Sequence, residues 1–412
     1  MKFRLNKFMQ VAAAGVLFGC TSFASHAEIT LLKQDPKAND PLSRLNFEVG
    51  GSIRPGFQNG MGNKDRGGYK NNGYDDGTRF RFTAKYYLFD DVQWVTMYDL
   101  GVDMYHVLDW KDKAHYATPS SLTSTSGHPT STRQLYTGFS SQQYGTFTYG
   151  KMYGVYYNVV GAKTDIWDYD MLAQASGNGI NGDFDGSYRS RNQFMYKKTG
   201  IGPVDIYASY ALPDRDLIVG NDATGKGDLL YKRHEGGALG ADYHITPTLT
   251  WGTSYEMVRA ELKDAGTNTS KYYDQQLLGT GLSWKPDNWT LATTLGWYKN
   301  FLTMNKYITK PVPNVNNYFE GNAYGVEYYA GYKFPISQYA IKYIQPYFMG
   351  DHLKYVDSAY VSGTNEQYQR TDNGLGVTFQ FDYGVRVDFE HMVTNDTIGT
   401  SSLNRVRFYY DF

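Results

Sequence analysis

Thr78-Arg79-Phe80-Arg81-Phe82-Thr83-Ala84-Lys85-Tyr86-Tyr87-Leu88 sets Phe80, Phe82, Ala84 and Tyr86 against Arg79, Arg81, Thr83 and Lys85. Successive side chains of an extended chain point to opposite faces, so this is a strand with one apolar and one charged side. Arg44 to Val49 repeats the period, with Leu45, Phe47 and Val49 opposite Arg44, Asn46 and Glu48. Phe89-Asp90-Asp91 makes a tight turn into a next strand over Val92–Leu108. The rhythm of strand, short turn, strand and long loop then persists. Short turns fall at Gln142–Tyr144, Gly200–Gly202, Thr246–Pro247, Pro286–Asp287, Pro335–Ser337 and Asp382–Gly384. Long loops fall at Asn59–Asp76, Trp110–Thr130, Pro213–Tyr231, Leu262–Ser270, Thr303–Glu320 and Ser358–Glu366. Long loops gathered at one end suit a membrane barrel with turns on one side of the bilayer, and a soluble sandwich has no reason for them. The fold expected is all-β, a transmembrane antiparallel barrel of about 16 strands. No internal repeat and no linker divides it, so residues 28–412 read as one domain.

Composition agrees. The 412 residues include 39 Tyr, 22 Phe, 7 Trp and 44 Gly, yet mean hydropathy is negative. Alternation hides apolar surface from an average, and past the N-terminus no run is long enough for a spanning helix. At that N-terminus Lys2, Arg4 and Lys7 precede an apolar run from Phe8 to Phe23, then Ser25-His26-Ala27. This reads as a signal peptide over residues 1–27, cleaved after Ala27. Cys20, the only cysteine, lies within it, which suits export through an oxidising compartment with no disulfide to make. Leu17-Phe18-Gly19-Cys20 also loosely resembles a lipoprotein signal, although Phe18 fits that pattern poorly. Without Lys2, Arg4 and Lys7 the chain keeps 37 basic against 41 acidic residues, a balance that excludes a nucleic-acid partner.

Two stretches carry function. Thr148–Arg191 begins as a strand and then loses any period until alternation resumes near Tyr188. A loop of that length amid short strands is functional as a rule. Over about residues 153–187 it carries Asp165, Asp168, Asp170, Asp183 and Asp185, with no Lys or Arg between Thr164 and Tyr188. An acidic, glycine-rich insertion flanked by basic strands is what a pore constriction requires. The second stretch is the C-terminus, where Val406, Phe408, Tyr410 and Phe412 share one face. It resembles the assembly signal of bacterial outer-membrane barrels, and assigns that role to Phe412, Tyr410 and Phe408. A soluble protein seldom ends on such an edge, because it invites aggregation.

The run Thr132-Arg133, Tyr136-Thr137-Gly138-Phe139 and Tyr144-Gly145-Thr146-Phe147-Thr148-Tyr149-Gly150-Lys151-Met152-Tyr153-Gly154-Val155-Tyr156-Tyr157 resembles the general diffusion porins of Gram-negative bacteria, the trimeric 16-strand family. The resemblance is strongest over residues 77–200. It implies a water-filled outer-membrane channel for ions and small hydrophilic solutes, a homotrimer in the lipid bilayer, and delivery by periplasmic chaperones and the barrel assembly machinery. It implies that a similar third loop folds into the pore and that Arg79, Arg133 and Arg191 are wall arginines. Asp165, or else Asp170, matches the first loop acid, and Asp168 joins them on the loop. The sequence also departs from the family. Ala173-Gln174-Ala175-Ser176-Gly177 stands where the family has an acidic motif, so Gln174 replaces the second loop acid. Glu48 stands where the first strand usually has an inward Lys.

Other chemistry finds little support. Asp183-Phe184-Asp185-Gly186 echoes a calcium loop but lacks the closing Glu and regular ligands. His106, His115, His128, His234, His244, His352 and His391 lack metal-ligand spacing, and there is no Gly-x-Ser-x-Gly elbow. No metal, cofactor or enzymatic activity is therefore expected. A sugar-selective channel is the alternative within the channel class, because Tyr156, Tyr157, Trp167 and Tyr169 sit beside the loop. A barrel enzyme is the alternative outside it.

Overall fold

The alternating stretches become β1 (Ile29–Leu32), β2 (Leu45–Ile53), β3 (Pro55–Gly62), β4 (Asn72–Asp75), β5 (Arg79–Phe89), β6 (Val92–Val102) and β7 (Thr130–Ser141). β8 (Gly145–Tyr153), β9 (Arg189–Ile201), β10 (Val204–Ala211), β11 (Leu217–Asn221), β12 (Asp228–Thr246), β13 (Leu249–Asp264) and β14 (Thr269–Trp284) follow. β15 (Trp289–Lys299), β16 (Asn322–Tyr332), β17 (Phe334–Gln338), β18 (Ile341–Tyr355), β19 (Gln369–Phe381), β20 (Val385–Asp396) and β21 (Gly399–Asp411) complete the set. This computed structural model describes residues 28–35, 37, 40–62, 72–104, 130–166, 173–174, 182–221, 228–303, 314–319, 321–356, 366–397 and 399–412. The signal-peptide reading of residues 1–27 lies outside the described residues, as does nearly all of the Trp110–Thr130 loop.

All pairings among the described residues are antiparallel. β2 with β3, β4 with β5, β10 with β11, and β16 with β17 are broken single wall strands, which, with the short β1 set apart, leaves sixteen in a closed barrel. β21 closes it, with Ser52 opposite Asp411, Ile53 opposite Tyr410 and Gly56 opposite Arg407. The last backbone pair in the seam is made by Phe412, whose N–H donates to Gly51 O at 3.1 Å while Gly51 N–H donates to Phe412 O at 2.7 Å. β1 takes over the edge of β2 beyond that point, placing Ile29 opposite Val49 and Thr30 opposite Glu48. Closure matters because an unpaired backbone group facing lipid costs several kcal/mol.

The outward face of β13 reads Trp251, Thr253, Tyr255, Met257 and then Arg259, Glu261, Lys263. Trp251, Tyr255 and Met257 are exposed, as are Leu278, Trp284, Trp289 and Leu295 on neighbouring strands, so the apolar face looks outward. That is the lipid belt. Buried apolar residues instead form clusters where loops fold against the inner wall. One joins Val155, Tyr156, Val159 and Val160 to Leu277, Tyr298 and Leu353. Another joins Phe184 to Tyr231, Leu262, Tyr273, Val315 and Phe319.

The structure moves several boundaries. The expected loop Pro213–Tyr231 holds β11 and the start of β12, and Asn59–Asp76 holds the end of β3 and all of β4. Leu262–Ser270 is not a long loop, because β13 and β14 pair up to Asp264 opposite Thr269. Its polar outward residues belong to strands that project past the lipid belt. Residues 335–337 lie within β17, and the turn is Tyr339-Ala340, both at positive φ. At the turn end Asp91 accepts the Gln143 N–H at 2.9 Å and the Ser141 hydroxyl at 2.7 Å, which ties two neighbouring turns together. These donors, the Gln143 N–H first, hold its carboxyl below the usual carboxylate range.

Candidate functional site

The third loop leaves β8 at Gly154 and returns at Tyr188, where Gly154 N–H donates to Tyr188 O at 2.6 Å. Its ends meet, so the intervening chain is free to fold into the barrel. A short helix, Val155–Val159, comes first, with Val155, Tyr156, Tyr157 and Val159 all buried. It packs on the inner faces of β12, β13 and β14. Two wall glycines make the approach possible. A Cβ on Gly279 would strike the Tyr156 ring, and one on Gly325 would strike the Ala173 carbonyl oxygen.

Polar contacts then fasten the loop to the wall. Lys163 Nζ donates to Asp242 Oδ1 at 2.5 Å, with both side chains buried. Removing one partner of such a pair costs about 3–5 kcal/mol. Thr164 Oγ1 donates to Glu327 Oε2 at 2.6 Å and lies 3.1 Å from Thr294 Oγ1. Gln174 Nε2 donates to Thr294 Oγ1 at 2.7 Å, and the Tyr298 hydroxyl to Ala173 O at 2.9 Å. Gln174 is thus a fully buried clamp on the wall. Gly325→Leu should overpack this contact at a cost of about 1–3 kcal/mol unless the loop moves off the wall into the lumen. Lower single-channel conductance is expected, while Gly220→Leu, whose Cβ meets nothing within 4 Å among the described residues, should leave conductance unchanged.

Arg79 and Arg133 come together on the facing wall, within electrostatic range of each other and of Asp99. Arg133 reaches this place through a β-bulge. Asp99 pairs with Gln134 and Leu100 with Thr132, so Arg133 is the extra residue. Asp99 Oδ2 lies 3.7 Å from Arg133 Nε and 3.9 Å from Arg81 Nη2. Arg54 neighbours Arg79, and Arg189 neighbours Arg133. Glu28 lies 3.7 Å from Arg81 Nη1, and Asp183 is within electrostatic range of Arg189, so five guanidinium groups here face three carboxylates and positive charge still exceeds negative.

Arg191 does not join them. Its Nε lies 2.7 Å from Asp214 Oδ2, and its guanidinium sits 4.6 Å from the Phe184 ring centre. Gly150 pairs with Gln193 and Met152 with Ser190, so Arg191 and Asn192 together face Lys151. Asn192 has φ 51°, and the bulge breaks the parity that otherwise carries Arg191 beside Arg133. Arg189, two residues earlier, takes that place. Its shared parity with Arg191 was the available signal, and sequence reasoning passed over it.

Glu48 is also not level with the arginines. It accepts from Lys85 at 3.2 Å and from Asn46, and Ser52 is the partner of Arg79. Four residues separate Glu48 from Ser52, about 13 Å along the strand toward the turn end. Asp165 accepts the Tyr157 hydroxyl, so a tyrosine stands between this acid and the arginines. Tyr157 stacks on Tyr153 with ring centres 4.0 Å apart, and both contact Tyr188, over which Arg189 lies at 4.4 Å. Asp168 and Asp170 lie outside the described residues, as do Trp167 and Tyr169. Tyr156 turns to the wall and donates to Gln174. Phe412 packs its ring 5.9 Å from those of Phe80 and Tyr410, and Phe408 lies 6.5 Å from Phe57.

A feature invisible in the sequence lies behind the loop. Glu327 pairs with Asp351 and Asp351 with Asp372, which sets three fully buried carboxylates in one row across β16, β18 and β19. Arg370 and Thr394 serve Asp372, and Thr164 serves Glu327. Among the described residues neither oxygen of Asp351 finds a hydrogen-bond donor. Asp351→Asn would place two N–H donors between two acceptors and remove a like-charge neighbour. Greater resistance to urea unfolding, by about 1–3 kcal/mol, with unchanged conductance is expected. Lower resistance would contradict this account of the row.

A closed barrel with an apolar outer belt, a polar lumen and a loop folded inside defines a membrane channel. A family model described as Gram-negative porin matches residues 11–338, and the chain belongs to that family. Its fold is similar to OmpF of Salmonella typhi in complex with daunomycin, with TM-score 0.60, 13% identity, and coverage of 90% of this chain and 98% of that one. It is similar to the outer membrane channel DcaP of Acinetobacter baumannii, with TM-score 0.62, 10% identity, and coverage of 92% and 100%. It is also similar to the anion-selective porin from Comamonas acidovorans, with TM-score 0.55, 12% identity, and coverage of 89% and 100%. Among curated protein sequences none matches. The protein is an outer-membrane porin, a channel for passive diffusion.

Proposed function

We propose that the channel passes ions and small hydrophilic solutes through a constriction between the third loop and a wall formed by Arg54, Arg79, Arg81, Arg133 and Arg189, and that it prefers anions. The observation that carries this reading is the charge count on that wall. Five guanidinium groups share this wall with Asp99 and with Glu28, which pairs with Arg81, while Asp165 across the gap is engaged by Tyr157. Fixed charge of one sign at a narrow point biases permeation toward the opposite sign. The bound assembly is a homotrimer, in keeping with the trimer form of OmpT from Vibrio cholerae, to which the fold is similar. Cleavage after Ala27, and delivery by chaperones and the assembly machinery, belong to the same proposal, as does the absence of catalysis. A sugar-selective channel draws support from the Tyr153, Tyr157 and Tyr188 cluster. Planar-bilayer recordings separate the two. Current linear in salt and unaffected by added sugars supports the diffusion reading, whereas saturable block by a sugar supports the other.

A further inference from the structure

We propose that the outward face of β14 to β18 holds a site for a phosphate-bearing acyl lipid of the leaflet at the loop end. A groove of about 650 Å³ opens there, lined by Leu278, Leu295, Trp297, Tyr324, Val326 and His352, with the small side chains of Thr253 and Thr280 at its far side. Cross-strand register explains its shape. One row runs Leu278, Trp297, Tyr324 and Lys354, and the next runs Thr280, Leu295, Val326 and His352. Large rings above short side chains leave a depression on the barrel wall.

Its height in the membrane follows from the same alternation. On β15 the outward residues run Trp289, Leu291, Thr293, Leu295 and Trp297 before Lys299, and on β18 they run Pro346, Phe348, Gly350 and His352 before Lys354. The apolar belt thus ends at Lys299 and Lys354, so the groove lies at acyl-chain depth and the lysines at headgroup depth. Both lysines are exposed, and neither makes an ion pair among the described residues. They flank Tyr324 from strands on either side of β16. Two strand spacings and an offset of two residues put them roughly 12 Å apart at the backbone, within reach of one headgroup. His352 lines the groove with Nδ1 engaged by Thr371 Oγ1 at 2.7 Å, leaving its other ring nitrogen for a headgroup oxygen. Asp274 is the outward acid nearest in register, and it stands opposite Arg259. The rim is therefore cationic above an apolar floor, which complements an anionic headgroup carrying acyl chains.

Native mass spectrometry of the folded protein released from detergent micelles tests this with dioleoyl phosphatidic acid, dioleoylglycerol and inorganic phosphate as separate probes. Wild type should retain phosphatidic acid at least about tenfold more tightly than dioleoylglycerol, and should not retain phosphate. Lys299→Gln with Lys354→Gln should abolish the preference, which would place the headgroup at the lysines. Val326→Trp, which fills the groove and keeps the charges, should weaken phosphatidic acid retention by a similar factor. Equal retention of phosphatidic acid by wild type and the double variant would overturn the proposal. So would retention unaffected by Val326→Trp, or phosphate binding as tight as that of the lipid.

Discussion

Removing Phe412 should abolish heat-resistant, folded porin in the outer membrane and leave unfolded chain in the periplasm. The deletion takes away both backbone hydrogen bonds to Gly51, the last ones that join the first wall strand to the last. It also takes away the ring that packs against Phe80 and Tyr410. β1 pairs only from Val49 onward, so it does not cover the gap. Two unpaired groups at a seam in lipid cost several kcal/mol, comparable to the whole stability of many proteins. Phe412→Ala keeps the backbone pair and loses the ring, so its folded yield should fall between wild type and the deletion. Gel mobility before and after heating reads all three. Normal surface levels of the deletion variant would refute the assignment of Phe412 to assembly.

Arg79→Gln with Arg133→Gln should move ion selectivity toward cations. A unit charge about 8 Å from a passing ion in water is worth roughly 0.5 kcal/mol. Two such charges change the permeability of each ion by about fivefold in opposite directions before screening, and so the ratio by about thirtyfold. Asp99 makes the effect larger, because without Arg79 and Arg133 its carboxylate keeps only part of its cationic surroundings, Arg81 and Arg189. The shift should be clear near 0.1 M salt and largely lost at 1 M, where the Debye length falls from about 10 Å to about 3 Å. Asp165→Asn should move selectivity the other way by a smaller step, since Tyr157 already engages that carboxylate. Arg79 and Asp99 are buried, so the double variant should also lose some stability, and recordings are made on its heat-resistant folded fraction. Reversal potentials across a salt gradient measure each variant, and an unchanged potential in the double variant would place the arginines outside the ion path.

The barrel was legible because its signal is local. Alternation over Thr78–Leu88 predicted β5 nearly residue for residue, and a terminal strand carrying Phe408, Tyr410 and Phe412 is a property of consecutive residues. The inward loop was legible as a loss of period. What escaped depends on neighbours far apart in the chain. A bulge shows only when both strands are aligned, so Arg133 beside Gln134 and the departure of Arg191 toward Asp214 could not be read from parity. Gly279 and Gly325 look like any strand glycine until the loop that needs their missing side chains is placed over them. The Glu327–Asp351–Asp372 row is likewise a matter of register, for inward positions of a barrel are polar everywhere. Leu262–Ser270 reads as a loop because its strands leave the lipid, and with it the apolar face that makes a strand recognisable.

The central claim is that the third loop lies inside the barrel against β12 to β16 and narrows the pore from there. Thr164 on the loop and Thr294 on β15 approach with hydroxyl oxygens 3.1 Å apart, which would put the sulfurs of cysteines at these positions side by side. The direct measurement is oxidation of Thr164→Cys with Thr294→Cys in the folded protein, followed by single-channel recording. A disulfide that forms readily and leaves conductance at the wild-type value is the result this account predicts. Thiols that stay free in the folded barrel, or conductance that changes sharply when they close, would contradict it.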